Sequence, residues 1–191
     1  MSCKKALLFI SIAFLIISVN GCLTLETKEY SFTLKKGMSG EGSIKYINIM
    51  TDNKDSAGVP DSDYRELIDL YLNGDKIKDE YPNIRITKKY LYEEDNQLCG
   101  EITFQFDDIS RVKFYKYKDK GPWCYYLASS PLGISGPNES YFSSNGSWGG
   151  EFMPVIFWEG NQKEFKFKTS VTAPNKNTMS LLEIWKQKGE K

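Results

Sequence analysis

Histidine is absent from all 191 residues. That removes the commonest general base and the commonest metal ligand, so Ser-His-Asp and Cys-His catalysis and histidine-based zinc sites are excluded. Arginine is scarce, at 3 residues against 22 lysines, a coding bias toward AT-rich codons that carries nothing about function. Neither sign of charge is in excess. Twenty-five bases meet 25 acids, and the basic stripe of a nucleic-acid binder is missing. Cysteine is limited to four residues. What is present is ordinary for a folded domain: 40% hydrophobic and 14% aromatic residues, over a length that suits one domain.

One long apolar run exists, at the N-terminus. Lys4 and Lys5 precede Ala6 to Val19, an uncharged and largely apolar stretch of 14 residues. A transmembrane helix needs about 20 apolar residues, and the shorter run fits a signal-peptide core. Val19-Asn20-Gly21-Cys22 follows. This segment resembles the lipobox of bacterial lipoproteins: an aliphatic residue at −3, a small one at −1, then the cysteine whose sulfur takes a diacylglycerol. Asn20 at −2 departs from the usual Ala or Ser. The resemblance covers residues 1–22 and implies a signal peptide over 1–21, lipidation of Cys22 and anchoring in a cell envelope. Two or three acyl chains anchor stably where one does not. Leu23 rather than Asp after the cysteine implies the outer membrane in a host that has one. Removing residues 1–21 takes two lysines and no acids, leaving 23 bases against 25 acids and a side-chain charge of −2. The attachment would therefore rest on lipid and not on a polybasic patch.

Cys3 leaves with the signal and Cys22 is assigned to lipid. The remaining pair, Cys99 and Cys124, reads as one structural disulfide in an oxidising compartment, since a redox pair would sit closer together as C-x-x-C.

Residues 22–29 read as a polar tether, and 30–191 as one domain. Tyr30, Phe32 and Leu34 alternate with polar residues, as a half-buried strand does. Gly37, Gly40 and Gly42 mark a turn, and Ser43 to Met50 a second strand. Its phase shifts between Tyr46 and Ile47, where a bulge would fit. Tyr64, Leu67, Ile68, Tyr71 and Leu72 form one helical stripe, giving a helix over about 61–73 capped by Asp61, Ser62 or Asp63 and stopped by Asn73-Gly74. Ile84 to Tyr92 and Gly100 to Phe106 are strands around the polar turn Glu93 to Asn96. Asp107-Asp108 precedes either a helical turn or another strand. Pro154 to Trp158 and Glu164 to Thr172 read as a hairpin around Glu159-Gly160-Asn161-Gln162, and Met179 to Lys188 as a short terminal helix. The order predicts an α+β fold: mostly antiparallel sheet with one main covering helix.

The hairpin that opens with Tyr30 to Leu34, the helix after it, and a strand ending in Phe104-Gln105-Phe106-Asp107-Asp108 resemble the small envelope lipoproteins of the LppM type. That likeness implies a lipid-tethered domain without an established enzymatic site.

Three constellations could carry chemistry. Asp61, Asp63, Glu66 and Asp69 could pair carboxylates, but helix capping and the dipole account for acids there, and the calcium-loop pattern fails for want of its third ligand and glycine. Ser129, Ser130, Ser143 and Ser144 lie in neither G-x-S-x-G nor S-x-x-K, and Ser144 to Gly150 lacks a P-loop ending and reads as a turn between strands. Tyr115, Tyr117, Trp123, Tyr125, Tyr126 and Trp148 crowd around Lys116, Lys118 and Lys120, the makings of a stacking platform or of ordinary cross-strand packing. No catalytic set, metal site or cofactor is expected. The expectation is a non-enzymatic binding or structural module, meeting the membrane through its lipid and an envelope protein, glycan or lipid through its aromatics. The alternatives are a carboxylate-dependent hydrolase acting on envelope glycans, with two carboxylates in a cleft, and a carrier of lipid or another apolar ligand with a pocket lined by Leu67, Ile68, Leu72 and Phe104.

Overall fold

The computed structural model describes residues 23–118, 120–127 and 139–189. The signal segment, Cys22, Ser129 and Ser130 lie outside them. The fold is α+β: eleven strands, paired antiparallel throughout the described residues, with few helices.

The large sheet is built on two long strands, β1 (Leu23–Leu34) and β2 (Gly40–Thr51). Strands β3 (Arg85–Glu94) and β4 (Gln97–Phe106) extend it past β2, while β10 (Glu164–Ser170) and β7 (Ser140–Ser144) extend it past β1. The short β11 (Met179–Ser180) joins the edge of β2 where β4 leaves it. The second sheet runs β5 (Phe114–Lys116), β6 (Trp123–Tyr126), β9 (Val155–Trp158), β8 (Ser147–Trp148).

Strand alternation makes the core. Phe32, Phe104, Phe106, Phe165 and Phe167 point from the large sheet toward Phe114, Trp123, Tyr125, Ile156 and Trp158 of the small one. Rings meet across the gap: Phe32 and Phe114 at 5.0 Å, Tyr125 and Phe167 at 4.6 Å. Burying aromatics of this size dominates core energetics. Beyond the small sheet, α1 (Val59–Glu66) continues into a π-helical turn, Leu67–Leu72. Tyr64, Leu67 and Ile68 lie on Ile49 and Leu98 of the large sheet, closed by Leu181 and Leu182 at the start of α3 (Leu182–Lys188). The predicted stripe is the buried one. The sheet thus has two covers, the second sheet over one part and the helix over the other.

Four sequence expectations need correction, and the terminal helix, present as expected, only starts later. Residues 23–29 are not a tether but the first half of β1, paired with β2 from Leu23 and with β10 from Thr27. The helix starts at Val59, after Gly58 at φ 78°, with Pro60 in its first turn and no side-chain cap. Asp61 therefore complements the dipole from inside the first turn, and Asp63 is carried to the buried face. The phase shift of β2 is real but inserts no residue. Thr27 faces Ile47 and Leu25 faces Ile49, and Asn48 between them takes φ 54°, a conformation asparagine tolerates. The strands at 155–158 and 164–170 are not a hairpin, because the chain passes from one sheet to the other between them; Trp158 and Phe165 both face the common core, rings 5.4 Å apart. The terminal helix is shorter, since Met179 and Ser180 pair with β2 first.

The helix stop falls where expected. The Asn73 N–H donates to the Ile68 carbonyl at 2.8 Å. A Cβ at Gly74 would stand 2.6 Å from the Asp69 carbonyl oxygen, so this exit requires glycine. A short helix, α2 (Ile77–Glu80), without an apolar period of its own, then delivers Tyr81 into the core.

Candidate binding faces and a buried polar seam

Strand phase divides the six aromatic residues the sequence groups together. Trp123 and Tyr125 point inward and are buried. Tyr125 shares a 3.1 Å hydrogen bond with the Tyr81 hydroxyl, and burial pushes both phenols above their ordinary range. Trp148 is half-buried, its ring parallel to Tyr141 at 4.4 Å, so it closes the gap between the sheets. Tyr115 and Tyr126 point the other way and are 62% and 56% exposed. Tyr117, beyond the end of β5, is 57% exposed with the Lys118 ammonium 5.0 Å from its ring centre.

Register assembles the exposed ones into a surface. Tyr115 stands opposite Cys124, and Cys124 opposite Phe157; Tyr126 faces Val155. The outer side of the small sheet is therefore a row of Tyr115, Cys124 and Phe157 with Tyr126 beside it. The loop before β9 adds Met153, whose methyl and the Phe157 ring both border Gly149, and Phe152 is fully exposed in the same loop. Sequence reasoning missed Phe152, Met153 and Phe157. The alternation of β9 held the signal for Phe157, since Ile156 and Trp158 must face the core. Exposed Phe142 does not belong to this surface. It lies on the large sheet, beneath the Lys168 ammonium.

The disulfide expected between Cys99 and Cys124 is not formed; both thiols are free. On β4, Ile102, Phe104 and Phe106 face the core, which turns Cys99 to the outer side of the large sheet. On β6, Trp123 and Tyr125 turn Cys124 to the outer side of the small one. Both sulfurs point away from the shared core, so joining them would require both strands to slip by one residue and turn their buried neighbours outward. Burial raises both thiols above their ordinary value, opposed at Cys99 by a hydrogen bond to the Asn48 backbone.

A polar seam runs between the two apolar clusters. The Lys28 ammonium, almost fully buried, lies 2.6 Å from Glu139. The same carboxylate accepts from the Tyr30 and Thr169 hydroxyls, each at 2.8 Å. Burial, then the charge of Glu139, holds the Tyr30 phenol far above its usual range, so it stays a donor. Nearby, burial works to raise the Glu80 carboxyl, but Lys28, Lys113 and hydrogen bonds to Lys113 and Tyr81 outweigh it and hold it low. Lys28, Tyr30 and Thr169 all donate to the one Glu139 carboxylate, the pattern of a structural network.

The remaining candidates do not converge. Asp61 pairs with Lys188 at 3.1 Å and Asp69 is exposed, so the helix spreads its acids instead of aiming two into a cleft. Leu67 and Ile68 belong to one apolar cluster and Phe104 to the other. Asp108 caps a 3-10 turn, Ile109–Val112, through the Ser110 N–H at 2.8 Å. Ser143 and Ser144 lie on β7, and Ser144 donates to the Gly146 carbonyl at 3.0 Å within the turn into β8. Among the described residues, no group of three or more Cys, Asp or Glu is placed to hold a metal ion, and no helix is long and apolar enough to cross a membrane. No family model, curated protein or solved structure matches the chain.

Proposed function

We propose that this chain is a lipid-anchored protein of a bacterial cell envelope, outer-membrane in a host with two membranes, whose domain docks a partner protein and performs no chemistry of its own. The lipobox-like segment ending at Cys22 supports the anchor. The opening hairpin, the helix after it and the strand ending in Phe104-Gln105-Phe106-Asp107-Asp108, which resemble LppM-type lipoproteins, support the same reading. One observation carries the docking role: the tyrosine side of the small sheet. Tyrosine, phenylalanine and methionine are the residues enriched where proteins meet, and a few buried aromatics carry most of such binding. An apolar surface of this kind on a folded domain marks an interaction site.

Two measurements test the reading. Cys22→Ser should move the protein from the membrane fraction to the soluble envelope fraction; retention in the membrane would refute the anchor. A photocrosslinking residue placed at Tyr126 in intact cells should give one discrete adduct, reduced about tenfold by Tyr115→Ala, the loss a single interface anchor commonly produces. An adduct pattern unchanged by Tyr115→Ala, or shared with a crosslinker at exposed Met38, would refute the docking surface.

A further inference from the structure

The outer side of the large sheet is different in kind. Two open hollows lie on it, with cavity volumes of about 340 and 370 Å³, and they share Ser31, Ser43 and Glu101. Register explains why they are there. Thr103 faces Ser43, Ser43 faces Ser31, and Ser31 faces Lys166, so small hydroxyl side chains form a row straight across β4, β2 and β1. Two residues along, the next row reads Glu101, Lys45, Glu29, Lys168. Its long side chains of alternating sign form one wall. On the other side, Gln105, Glu41 and Thr33 face one another and form the second wall. The result is a groove perpendicular to the strands, with a floor of hydroxyls.

We infer that this groove binds an oligosaccharide chain laid across the strands. The floor is the first reason. Ser31 and Ser43 are half-buried, and their hydroxyls take no side-chain hydrogen bond among the described residues, while Thr103 has only Thr87 at 2.9 Å. Hydroxyls both donate and accept, which suits a ligand made of hydroxyls. The wall is the second. Its charges alternate and cancel, with Lys168 3.2 Å from Glu29, so there is no net field to draw a polyanion or a polycation. The flanks are the third. Tyr90 continues the charged wall past Glu101 onto β3, with Tyr92 one row further out, their rings 5.4 Å apart, and exposed Phe142 flanks the same wall beside Lys168. Each ring carries a lysine ammonium, Lys88 at Tyr90, Lys45 at Tyr92 and Lys168 at Phe142, and such rings beside the wall offer apolar surface to a sugar ring. Neighbouring strands repeat every 4.8 Å or about that, close to the advance of one β-linked pyranose unit. A peptide strand is not the fitting occupant, because β1, β2 and β4 already have both edges paired and leave no backbone for an added strand. The inference does not rest on the tyrosine side of the small sheet, which faces the opposite direction.

The test is a titration of the full chain in detergent with hexamers and dimers of β-1,4-linked N-acetylglucosamine and of β-1,4-linked glucose, followed by calorimetry and by amide chemical shifts. At least one hexamer should bind, at least tenfold more tightly than its dimer, with shifts concentrated at Ser31, Ser43 and Thr103. Ser43→Leu, which fills the floor, should weaken binding at least tenfold, and Tyr115→Ala should leave it unchanged. Shifts in the unmodified chain decide the matter even where Ser43→Leu does not fold. No binding by either hexamer, binding indifferent to Ser43→Leu in a folded variant, or shifts concentrated at Tyr115, Cys124 and Tyr126 would each overturn the inference. So would an extended peptide that shifts the groove amides when the sugars do not.

Discussion

Lys28 is the residue the local sequence disguises most. Between Thr27 and Glu29 it reads as a solvated tether lysine, yet its ammonium is buried against Glu139, a residue 111 positions away. A buried charge is tolerable only when paired and hydrogen-bonded, and no local pattern can reveal a partner so distant. Glu139→Leu should therefore cost about 3–5 kcal/mol in urea unfolding, the penalty for stranding a buried charge. The double variant Lys28→Met/Glu139→Leu should recover about half of that. The recovery is partial because Tyr30 and Thr169 still lose their acceptor, at about 1 kcal/mol or more each. A double variant as unstable as the sum of its singles would show that charge burial is not what the pair balances.

At the scale of elements, the tight turn between β3 and β4 is the clearest case of local chemistry deciding structure. Asp95 and Asn96 both take positive φ, at 50° and 60°, the geometry of a two-residue hairpin whose twist suits the strands. Asn96→Val should cost about 1–2 kcal/mol, the left-handed penalty for a residue with a crowded Cβ, whereas Asn96→Gly should be neutral or stabilising. Thermal melts of the two variants check this, and equal melting temperatures would contradict it. The same scale shows what was legible beforehand. The alternation of Ile102, Phe104 and Phe106 and the helical stripe from Tyr64 to Leu72 announce their elements, because each buries one face and the period records it. The turn Glu159 to Gln162 announces a reversal of the chain but not which sheet receives the next strand. That choice is made by Phe165 and Phe167 packing on rings from four other strands, β1, β5, β6 and β9. The aromatic cluster was visible as composition, but only strand phase separates Tyr115 and Tyr126, which face out, from Trp123 and Tyr125, which hold the core. The groove of Thr103, Ser43 and Ser31 was not visible at all, since it exists only through register.

The whole molecule is a sandwich with unlike outer sides: hydroxyls and balanced charges on the large sheet, tyrosines on the small one. A thiol stands on each, Cys99 buried and Cys124 partly open. Alkylation of the native protein should modify Cys124 alone, and unfolding should release Cys99; mass spectrometry of the labelled peptides reads both. A bonded pair after aerobic preparation would require strand registers other than those described. Finally, β1 leaves no slack at its start. Leu23 already faces Thr51, the Thr24 and Thr172 hydroxyls meet at 2.6 Å, and the Val171 and Thr172 N–H groups donate to the Glu26 and Leu25 carbonyls. With a lipid on Cys22, tension on the anchor would run directly along a strand hydrogen-bonded on both sides. Both ladders would then be loaded in shear, all rungs at once, so the envelope could pull on this domain without peeling it open from its first residue.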